Sequence, residues 1–455
     1  MRPPQTSPPR ARRLRGVALL VVVTAIAILS IVVLEFSSSA RVHLDQGVNL
    51  RDEARASALA DTALSLTRAC LDPKALAVSG ISLTSMMKNV EMERVCNLLL
   101  GIFSKSRVDL PIGGLSFELS GIQGIGIEKG EIDEIKLESE EAFIGLAGLQ
   151  CKSRQDFNCG ARKIVANRLR SVLCDPEIAH VFENEQADGT RYTREDVVTN
   201  LVDWIDSDDN RITLSPLWEF QEGAGENEDG YYGRLPERYK VKDMPLDSIE
   251  ELRLIRGIND DLYDFLKDKV SVFATNRIDV NRASAEVLGA MLWAASSYGK
   301  LAEGEICGKE TEGTITEIKS AFRAYAEWIV KVRSVKSMTL AGLLGKPFPS
   351  VDRFLEAAKD PLAAYVTELQ KAGGDAASPA LSELLAGSVA NPAIQNLFKL
   401  IWGTINQNDL KGGLTTRSNL YRLQAQGTVG NMTRRVFSVL KVDGQIVRTL
   451  YYREE

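Results

Sequence analysis

The residues whose types and spacing could do chemistry lie between Asp203 and Asp229. This stretch of 27 residues holds one base, Arg211, and nine acids: Asp203, Asp206, Asp208, Asp209, Glu219, Glu222, Glu226, Glu228 and Asp229. Its opening, DWIDSDDN, places several carboxylates beside the Asn210 amide. Ca²⁺ takes about six to eight oxygen ligands at about 2.3–2.6 Å, so this pattern is typical of a hard-cation site.

A solvated acidic loop is the competing interpretation, because most acidic runs face water. The spacing is not that of an EF-hand: position 6 counted from Asp206 is not Gly, and position 12 is not Glu. The neighbours favour a cation, because the acids are flanked by residues that would hold the loop against a core: Trp204, Ile205, Tyr231 and Tyr232. We therefore expect a structural metal site.

The donor set selects calcium among the common cations. The segment contains neither His nor Cys, which argues against Zn²⁺. So many carboxylates suit the large, flexible shell of Ca²⁺ better than the strict octahedron of Mg²⁺.

Catalytic motifs are scarce. The chain has two histidines, His43 and His180, no G-x-S-x-G sequence and no base beside the acid cluster that could serve as its partner. The sequence therefore predicts a protein that is not an enzyme.

Six cysteines, an even number, permit three disulfides in an oxidising compartment, with fifteen possible connectivities. A buried free thiol is the alternative for each. A short polar loop separates Cys151 from Cys159, and this pair is the preferred bridge. Cys70 with Cys96 comes second and would tie the end of a long helix to the segment after it. No C-x-x-C occurs, so a zinc ribbon is not expected.

The elements that must position these residues begin with an N-terminal helix. Val17 to Leu34 runs 18 residues without a charge, about 27 Å as a helix, after a leader of 16 residues with five arginines and no acid. This order predicts a membrane span with the N-terminus in the cytoplasm. A simple signal anchor and a secretory signal cleaved near Ser38–Ala40 are alternatives. Helical spacing continues through Leu59 to Cys70, which favours one helix of about 80 Å.

The rest of the chain divides by periodicity. Residues 73–150 contain weakly alternating segments, with a strand at Ile132–Leu137, and residues 151–416 are mostly helical. The tail alternates from Tyr421 onward, and Asp443-Gly444 between apolar runs is a strong hairpin signal. The chain therefore ends in a three-stranded antiparallel meander. Strands on both sides of a helical block indicate that the block is inserted into one sheet.

A basic leader ending in Gly16, an uncharged run from Val17 and a long helix together resemble the type IV pilin family. The resemblance implies that a prepilin peptidase cuts after Gly16 and that the new N-terminus at Val17 is methylated. Most pilins carry Glu at the fifth mature position, where this chain has Val21. That carboxylate pairs with a neighbouring subunit. Its absence in this chain resembles the K-type minor pseudopilin of type II secretion (general secretion pathway protein K), which lies at the filament tip.

Four further motifs resemble the same family across residues 201–292: LVDWIDSDDN, ENEDGYYGRL, LRLIRGINDDLYDFL and IDVNRASAEVLGAML. The family's inserted helical domain binds calcium. Carried over by position, the ligands are first Asp206, Asp208 and Glu228, then Asp203, Asp209, Asn210, Glu226 and Asp229.

The resemblance implies an α+β fold: a type IV pilin-like long helix packed on an antiparallel sheet, with a large inserted α-helical domain containing helix-hairpin-helix (SAM-like) units. The expected divisions are the leader (1–16), the transmembrane helix (17–36), its periplasmic continuation (37–72), the first part of the sheet (73–150), the inserted domain (151–416) and the C-terminal meander (417–455).

The implied function is a minor pseudopilin that initiates the pseudopilus and supports export of folded proteins. Its partners would be the I- and J-type minor pseudopilins, met along residues 37–70, and its location the bacterial inner membrane, with the body in the periplasm.

A membrane-anchored DNA-binding or DNA-uptake protein is the alternative, because residues around Gly257 resemble a helix-hairpin-helix unit. Asp260, Asp261 and Asp264 follow that glycine where basic residues would meet phosphate. Without the leader the chain carries 50 basic and 61 acidic residues, a net charge of −11. This acidity predicts that nucleic acid is not a partner.

Overall fold

The computed structural model describes residues 14–72, 90–104, 107–109, 116–118, 130–151, 158–215, 218–300, 312–338, 345–373, 391–444 and 446–455. Most of the predicted leader (1–13), much of the predicted first sheet segment (73–89, 105–106, 110–115 and 119–129) and Cys307 lie outside these residues.

The described α-helices run in chain order as α1 Leu14–Leu71, α2 Met92–Ser104, α3 Gly160–Leu173, α4 Ala179–Glu183, α5 Arg194–Ile205, α6 Asp229–Tyr232, α7 Asp260–Leu266, α8 Ala285–Ala294, α9 Glu312–Met338, α10 Val351–Lys359, α11 Pro361–Gly373, α12 Pro392–Thr404 and α13 Gln407–Gly412. Short 3₁₀ helices lie at Glu140–Ala142, Leu146–Leu149, Pro176–Ile178, Ile249–Leu254 and Ser297–Lys300.

The described strands are β1 Arg107–Asp109, β2 Ser116–Glu118, β3 Gly130–Ser139, β4 Ile144–Gly145, β5 Asn210–Leu214, β6 Phe220–Asn227, β7 Val270–Ser271, β8 Ile278–Asp279, β9 Leu414–Thr415, β10 Leu420–Val429, β11 Met432–Asp443 and β12 Ile446–Glu454.

Helix α1 is continuous, as the spacing predicts, and ends before Pro73, which cannot continue a helix. Its 58 residues make it about 87 Å long. The apolar side chains from Val17 to Leu34 are exposed, and α1 is a candidate single membrane span. Further along, Ala56, Leu59 and Ala63 are buried at three-to-four spacing against the sheet.

The main sheet is antiparallel, with strand order β12-β11-β10-β3. The predicted meander forms β10, β11 and β12, and both turn glycines, Gly430 and Gly444, have positive φ. Strand β3 contains the predicted strand Ile132–Leu137 and pairs with β10, so that Ser139 faces Tyr421. The chain between these two neighbouring strands leaves the sheet and returns, which makes the helical part an insertion.

The first part of the predicted sheet differs from the prediction in two respects. Residues 140–149 were expected in the sheet, but Ile144, Leu146 and Leu149 are buried in the core of the helical domain. They are drawn there because β4 pairs in parallel with β7. Strands β1 and β2 pair with each other in a separate two-stranded sheet.

The motifs LRLIRGINDDLYDFL and IDVNRASAEVLGAML both form regular elements. Gly257 has φ +85° before α7, but the element preceding it, Ile249–Leu254, is a 3₁₀ helix. The later motif forms β8 and then α8. There the Asn281 amide bonds both backbone polar groups of Phe348, at 2.8 and 3.1 Å.

The two cysteine pairs favoured by the sequence are both disulfide-bonded. Cys70 and Cys96 join α1 to α2 with Cα atoms 5.7 Å apart. Cys151 and Cys159 have Cα atoms 5.8 Å apart. Cys174 is also disulfide-bonded.

Ion pairs join the sheet and the helical domain. Arg282 lies 2.7 Å from Glu91 Oε2 and 3.1 Å from Glu93 Oε2 at the start of α2. On the other face of the sheet, Arg453 of β12 bonds Glu250 at 2.7 Å. The apolar core of each part is therefore bordered by charged contacts to the other.

Candidate metal centre

The acidic segment is placed by a helix and a hairpin. Helix α5 begins at a capping box formed by Thr193 and Asp196, and Asp206 follows its last residue. Strands β5 and β6 then form a hairpin in which Asn210 faces Asn227. This register brings Glu228, directly after β6, back to the end of α5.

Three carboxylates converge at this point: Asp206, Asp208 and Glu228 can each offer one oxygen within 4.8 Å of the others. Asp206 and Glu228 are only 6% and 7% exposed. Asp206 Oδ1 and both Glu228 carboxylate oxygens are buried, with no hydrogen-bond partner among the described residues. Buried polar atoms are normally paired, so these unpaired oxygens are available to a ligand. They are the three residues that the sequence ranked first.

The electrostatics of the cluster oppose three bare charges. The pKa of Glu228 is raised to about 10, first by burial and then by the nearby Asp203 and Asp206 carboxylates. Burial also raises the pKa of Asp206 to about 6, although Arg162 acts in the opposite direction. A bound cation would favour the ionised forms and reverse this tendency.

Asp203 has a structural contact instead of a place in the cluster. Its Oδ1 accepts a hydrogen bond of 2.9 Å from the Ile212 amide, which ties α5 to β5. Burial raises the pKa of Asp203 to about 8 despite this bond. Asp229 accepts from the Val241 amide at 3.1 Å and also lies outside the three converging carboxylates. The side chain of Glu226 lies outside the described part of the chain.

Asp209 and Asn210 line a neighbouring acidic depression with Asp208. Asp243, which the sequence analysis did not select, completes it from a backbone with φ +52°. Burial and the charges of Asp209 and Asp229 raise the pKa of Asp243. Its approach depends on the path of the chain after α6, and no local spacing signals it.

Arg162 is the second residue that sequence analysis missed. Its side chain is buried, and Nη2 donates to Asp206 Oδ2 at 3.1 Å. It lies on α3, more than forty positions before its partner Asp206. The fold therefore brings a further base to the acidic segment from a distant part of the chain.

Aromatic rings support the cluster from below, as the flanking residues predict. Trp204 packs edge-on against Tyr232 at 5.5 Å and Tyr239 at 6.2 Å. A cavity of about 590 Å³ reaches Glu228 from the side of Tyr231 and Arg256. The centre therefore combines a rigid aromatic support, an all-oxygen donor set and access from solvent. It suits binding of a hard cation.

The hairpin at Gly257 presents acids. Asn259 caps α7 by accepting from the Leu262 amide at 2.9 Å, and Asp260 and Asp261 fill the first turn. A phosphate at this helix start would meet negative side chains, so the geometry does not favour a nucleic-acid contact here.

Comparisons with known proteins agree with the sequence motifs. Residues 179–275 match the family model described as "Type II secretion system (T2SS), protein K". This confirms the resemblance to protein K over the segment that contains every predicted metal ligand. No curated protein matches.

Among solved structures, a chain from the GspK-GspI-GspJ complex of the enterotoxigenic Escherichia coli type 2 secretion system is similar at 17% identity. The match covers 91% of this chain and 99% of that one, with a TM-score of 0.41.

Proposed function

We propose that this chain, whose residues 179–275 match type II secretion system protein K, is the K-type minor pseudopilin of such a system. It would act at the tip of the pseudopilus, initiate the filament with other minor pseudopilins and support export of folded proteins. The observation that carries the proposal is α1, which is exposed over its apolar first part and packed on the sheet over its last part. Such a helix serves both as a membrane anchor and as part of the folded body.

The proposal places the chain in a bacterial inner membrane, with its body in the periplasm. Prepilin peptidase would cut between Gly16 and Val17 and the new amine would be methylated. N-terminal sequencing of the mature protein from cells containing that peptidase tests this directly. Val17 is the expected first residue; Met1 would indicate a simple anchor and Arg41 a secreted protein.

Substitution of the glycine sharpens the test. Gly16→Val should block cleavage, whereas Gly47→Val, at an open position on the same helix, should not. Full processing of the Gly16 variant would count heavily against a prepilin-type leader.

The proposed partners are the I- and J-type minor pseudopilins. Between the span and the body, α1 exposes apolar side chains, including Val42, Leu44 and Val48. Leu44→Glu should reduce co-purification of the full chain with these partners from detergent. Leu254→Glu, at an exposed leucine of the helical domain, is the matched control. Equal recovery with both variants would exclude this part of α1 as the contact.

We further propose that the cluster of Asp206, Asp208 and Glu228 binds Ca²⁺ in a structural role. The supporting observations are the convergent, unpaired, buried oxygens and the absence of His and Cys from the segment. A ligand that binds only the folded state raises the melting temperature with log concentration above its Kd. Full chain in detergent should therefore melt higher in millimolar calcium than in EGTA.

Asp206→Ala and Glu228→Ala should each weaken that calcium-dependent shift. Glu222→Ala, an exposed acid of the same segment, should leave it unchanged. Identical wild-type melting curves with and without calcium would reduce the site to an acidic loop.

In this proposal the protein is an assembly subunit without catalytic activity, and nucleic acid is not a partner. A gel shift with duplex DNA at several salt concentrations tests the second point. Salt-sensitive retention of DNA would favour the DNA-uptake alternative.

A further inference from the structure

Helix α3 carries three buried arginines, each less than 4% exposed: Arg162, Arg168 and Arg170. Arg168 donates to the backbone carbonyls of Asn276 and Gly413, at 2.6 and 3.2 Å. Arg162 differs, because one of its donated bonds goes to a carboxylate of the candidate metal centre. A buried guanidinium with this pairing fixes the orientation of its acid.

The Arg162 side chain bridges two segments. Nε donates to the Leu149 carbonyl at 2.7 Å and Nη2 donates to Asp206 Oδ2 at 3.1 Å. The guanidinium also lies 5.6 Å from the centre of the Phe220 ring on β6. Oδ2 of Asp206 is therefore occupied, and the unpaired Oδ1 is the atom left for a cation.

The Cys151–Cys159 disulfide joins the segment of Leu149 to the start of α3, the helix that carries Arg162. Cys151 lies two positions after Leu149, and Cys159 is the residue directly before α3, three positions before Arg162. The covalent link holds the start of α3 close to the Leu149 carbonyl. It therefore restricts the positions that the start of α3, and with it Arg162, can take before Arg162 bonds Asp206.

We propose that Arg162 is a positioning residue for the metal centre, that the Cys151–Cys159 disulfide preorganises it, and that cation affinity consequently depends on this disulfide. The inference rests on the proposed calcium binding. By reciprocity, bound calcium favours the bridged form of the two cysteines.

Two effects of Arg162 on the cation have opposite signs. Its positive charge repels a dication nearby and lowers affinity, whereas its hold on Asp206 presents Oδ1 and raises affinity. Partners that orient metal ligands typically change affinity by about 10–100-fold. The proposal is that orientation outweighs repulsion, so removal of the guanidinium weakens binding.

The test is calcium titration calorimetry of the full chain in detergent, in buffer stripped of metals. Arg162→Met should raise the Kd by about 10–100-fold. Arg162→Lys keeps the charge and one donor, and should fall between wild type and Arg162→Met. Arg168→Met, an equally buried change on the same helix, should leave the Kd within about twofold, because its contacts lie elsewhere.

A second arm removes the disulfide. The paired change Cys151→Ser and Cys159→Ser should raise the Kd in the wild-type background and have little effect in the Arg162→Met background, because the bridge acts through Arg162. Melting curves in EGTA verify that each variant is folded. Arg162→Lys keeps the test available if Arg162→Met does not fold.

The outcomes distinguish a failure of calcium binding from a failure of the positioning role of Arg162. If wild type does not bind calcium, the proposed metal function fails. If wild type binds and both Arg162 variants bind equally or more tightly, only the positioning role is overturned. If the disulfide variant binds like wild type, the coupling is overturned.

Discussion

At the residue scale, Glu228 decides how the proposed metal centre behaves. Its side chain is buried and both carboxylate oxygens lack partners among the described residues. Because its pKa is raised to about 10, the folded protein without metal holds a proton there that the unfolded chain has released at neutral pH. Stability therefore falls as pH rises above the pKa that Glu228 has in the unfolded chain, and a bound cation would remove this penalty.

Glu228→Gln should consequently change sign with calcium. In EGTA at pH 7 the variant should melt above wild type, by about 2–4 °C for each kcal/mol regained, because a glutamine need not take up a proton on folding. In millimolar calcium it should melt below wild type, because a carboxylate ligand is missing. Thermal melts of both proteins in both buffers measure this crossover.

Glu222→Gln is the control and should not change either curve. A Glu228→Gln protein that melts below wild type in both buffers would show that the carboxylate stabilises the fold without a metal.

Asp279 gives a pH prediction away from the metal centre. Burial, together with the charge of Glu91, raises the pKa of Asp279 to about 7, although the backbone N–H of Asn281 donates a hydrogen bond of 2.9 Å to Asp279 Oδ1. A raised acid pKa means that stability falls as pH rises from about 4 to about 7. Asp279→Asn should therefore gain stability relative to wild type across this window, by at most about 4 kcal/mol above pH 7.

Melting temperatures of Asp279→Asn between pH 4.5 and 8.5 check this expectation, with Asp264→Asn, at an exposed acid that pairs with Lys267, as control. A difference from wild type that does not vary with pH would show that Asp279 stays ionised in the folded state.

The limits of sequence reasoning at this scale follow from chain distance. Asp206, Asp208 and Glu228 were ranked first because they lie in one acidic segment with recognisable motifs. Arg162 and Asp243 were missed because their contacts with the cluster exist only after α3 and the chain beyond α6 fold back on it.

At the element scale, the packing of α1 on the sheet depends on one glycine. Gly427 of β10 faces α1, and a Cβ there would lie 2.8 Å from Leu59 Cβ and would also meet the Ala56 carbonyl oxygen. Real Cβ atoms do not approach so closely, so any larger residue must push the helix away. The register shift of β3 against β10 falls at the same position.

Gly427→Ala should therefore destabilise the protein by about 1–3 kcal/mol, as overpacking of a core does. Gly403→Ala, at an exposed position inside α12 with open space around it, should instead stabilise by about 0.5–1 kcal/mol through helix propensity. Thermal melts of the two variants should shift in opposite directions. A Gly427→Ala protein as stable as wild type would mean that α1 lies farther from the sheet.

Local patterns predicted elements better than boundaries. Alternation from Tyr421 and the Asp443-Gly444 turn identified the meander, because hairpins depend on neighbouring residues. The boundary placed at residue 150 was wrong, because β4 is two residues long and pairs with β7 more than 120 positions later. No local pattern carries a pairing of that range.

At the scale of the whole molecule, the described residues form two hydrophobic cores, and charged contacts join them. One core lies between α1 and the sheet, and the other fills the helical domain. Between them, Arg282 pairs with Glu91 and Glu93, whose carboxyl groups are buried at the start of α2. Since α2 is linked to α1 by Cys70–Cys96, this contact connects the candidate membrane helix to the domain that carries the proposed metal centre.

Arg282→Met should weaken this connection without changing the metal centre. Removing one partner of a buried ion pair leaves uncompensated charge and costs about 3–5 kcal/mol. The pKa of Glu93 is already raised to about 7 by burial, even beside Arg282, so protonation can relieve the variant in acid. The loss in melting temperature should thus be large at pH 8 and much smaller at pH 5.

Calcium affinity should match wild type, because Arg282 contacts none of the cluster residues Asp206, Asp208 and Glu228. Arg323→Met, which removes an exposed pair with Glu286, should show neither the loss nor its pH dependence. Equal losses at both pH values would mean that the pair does not carry the contact between the two cores, whereas a changed calcium affinity would mean that the two cores do not act independently.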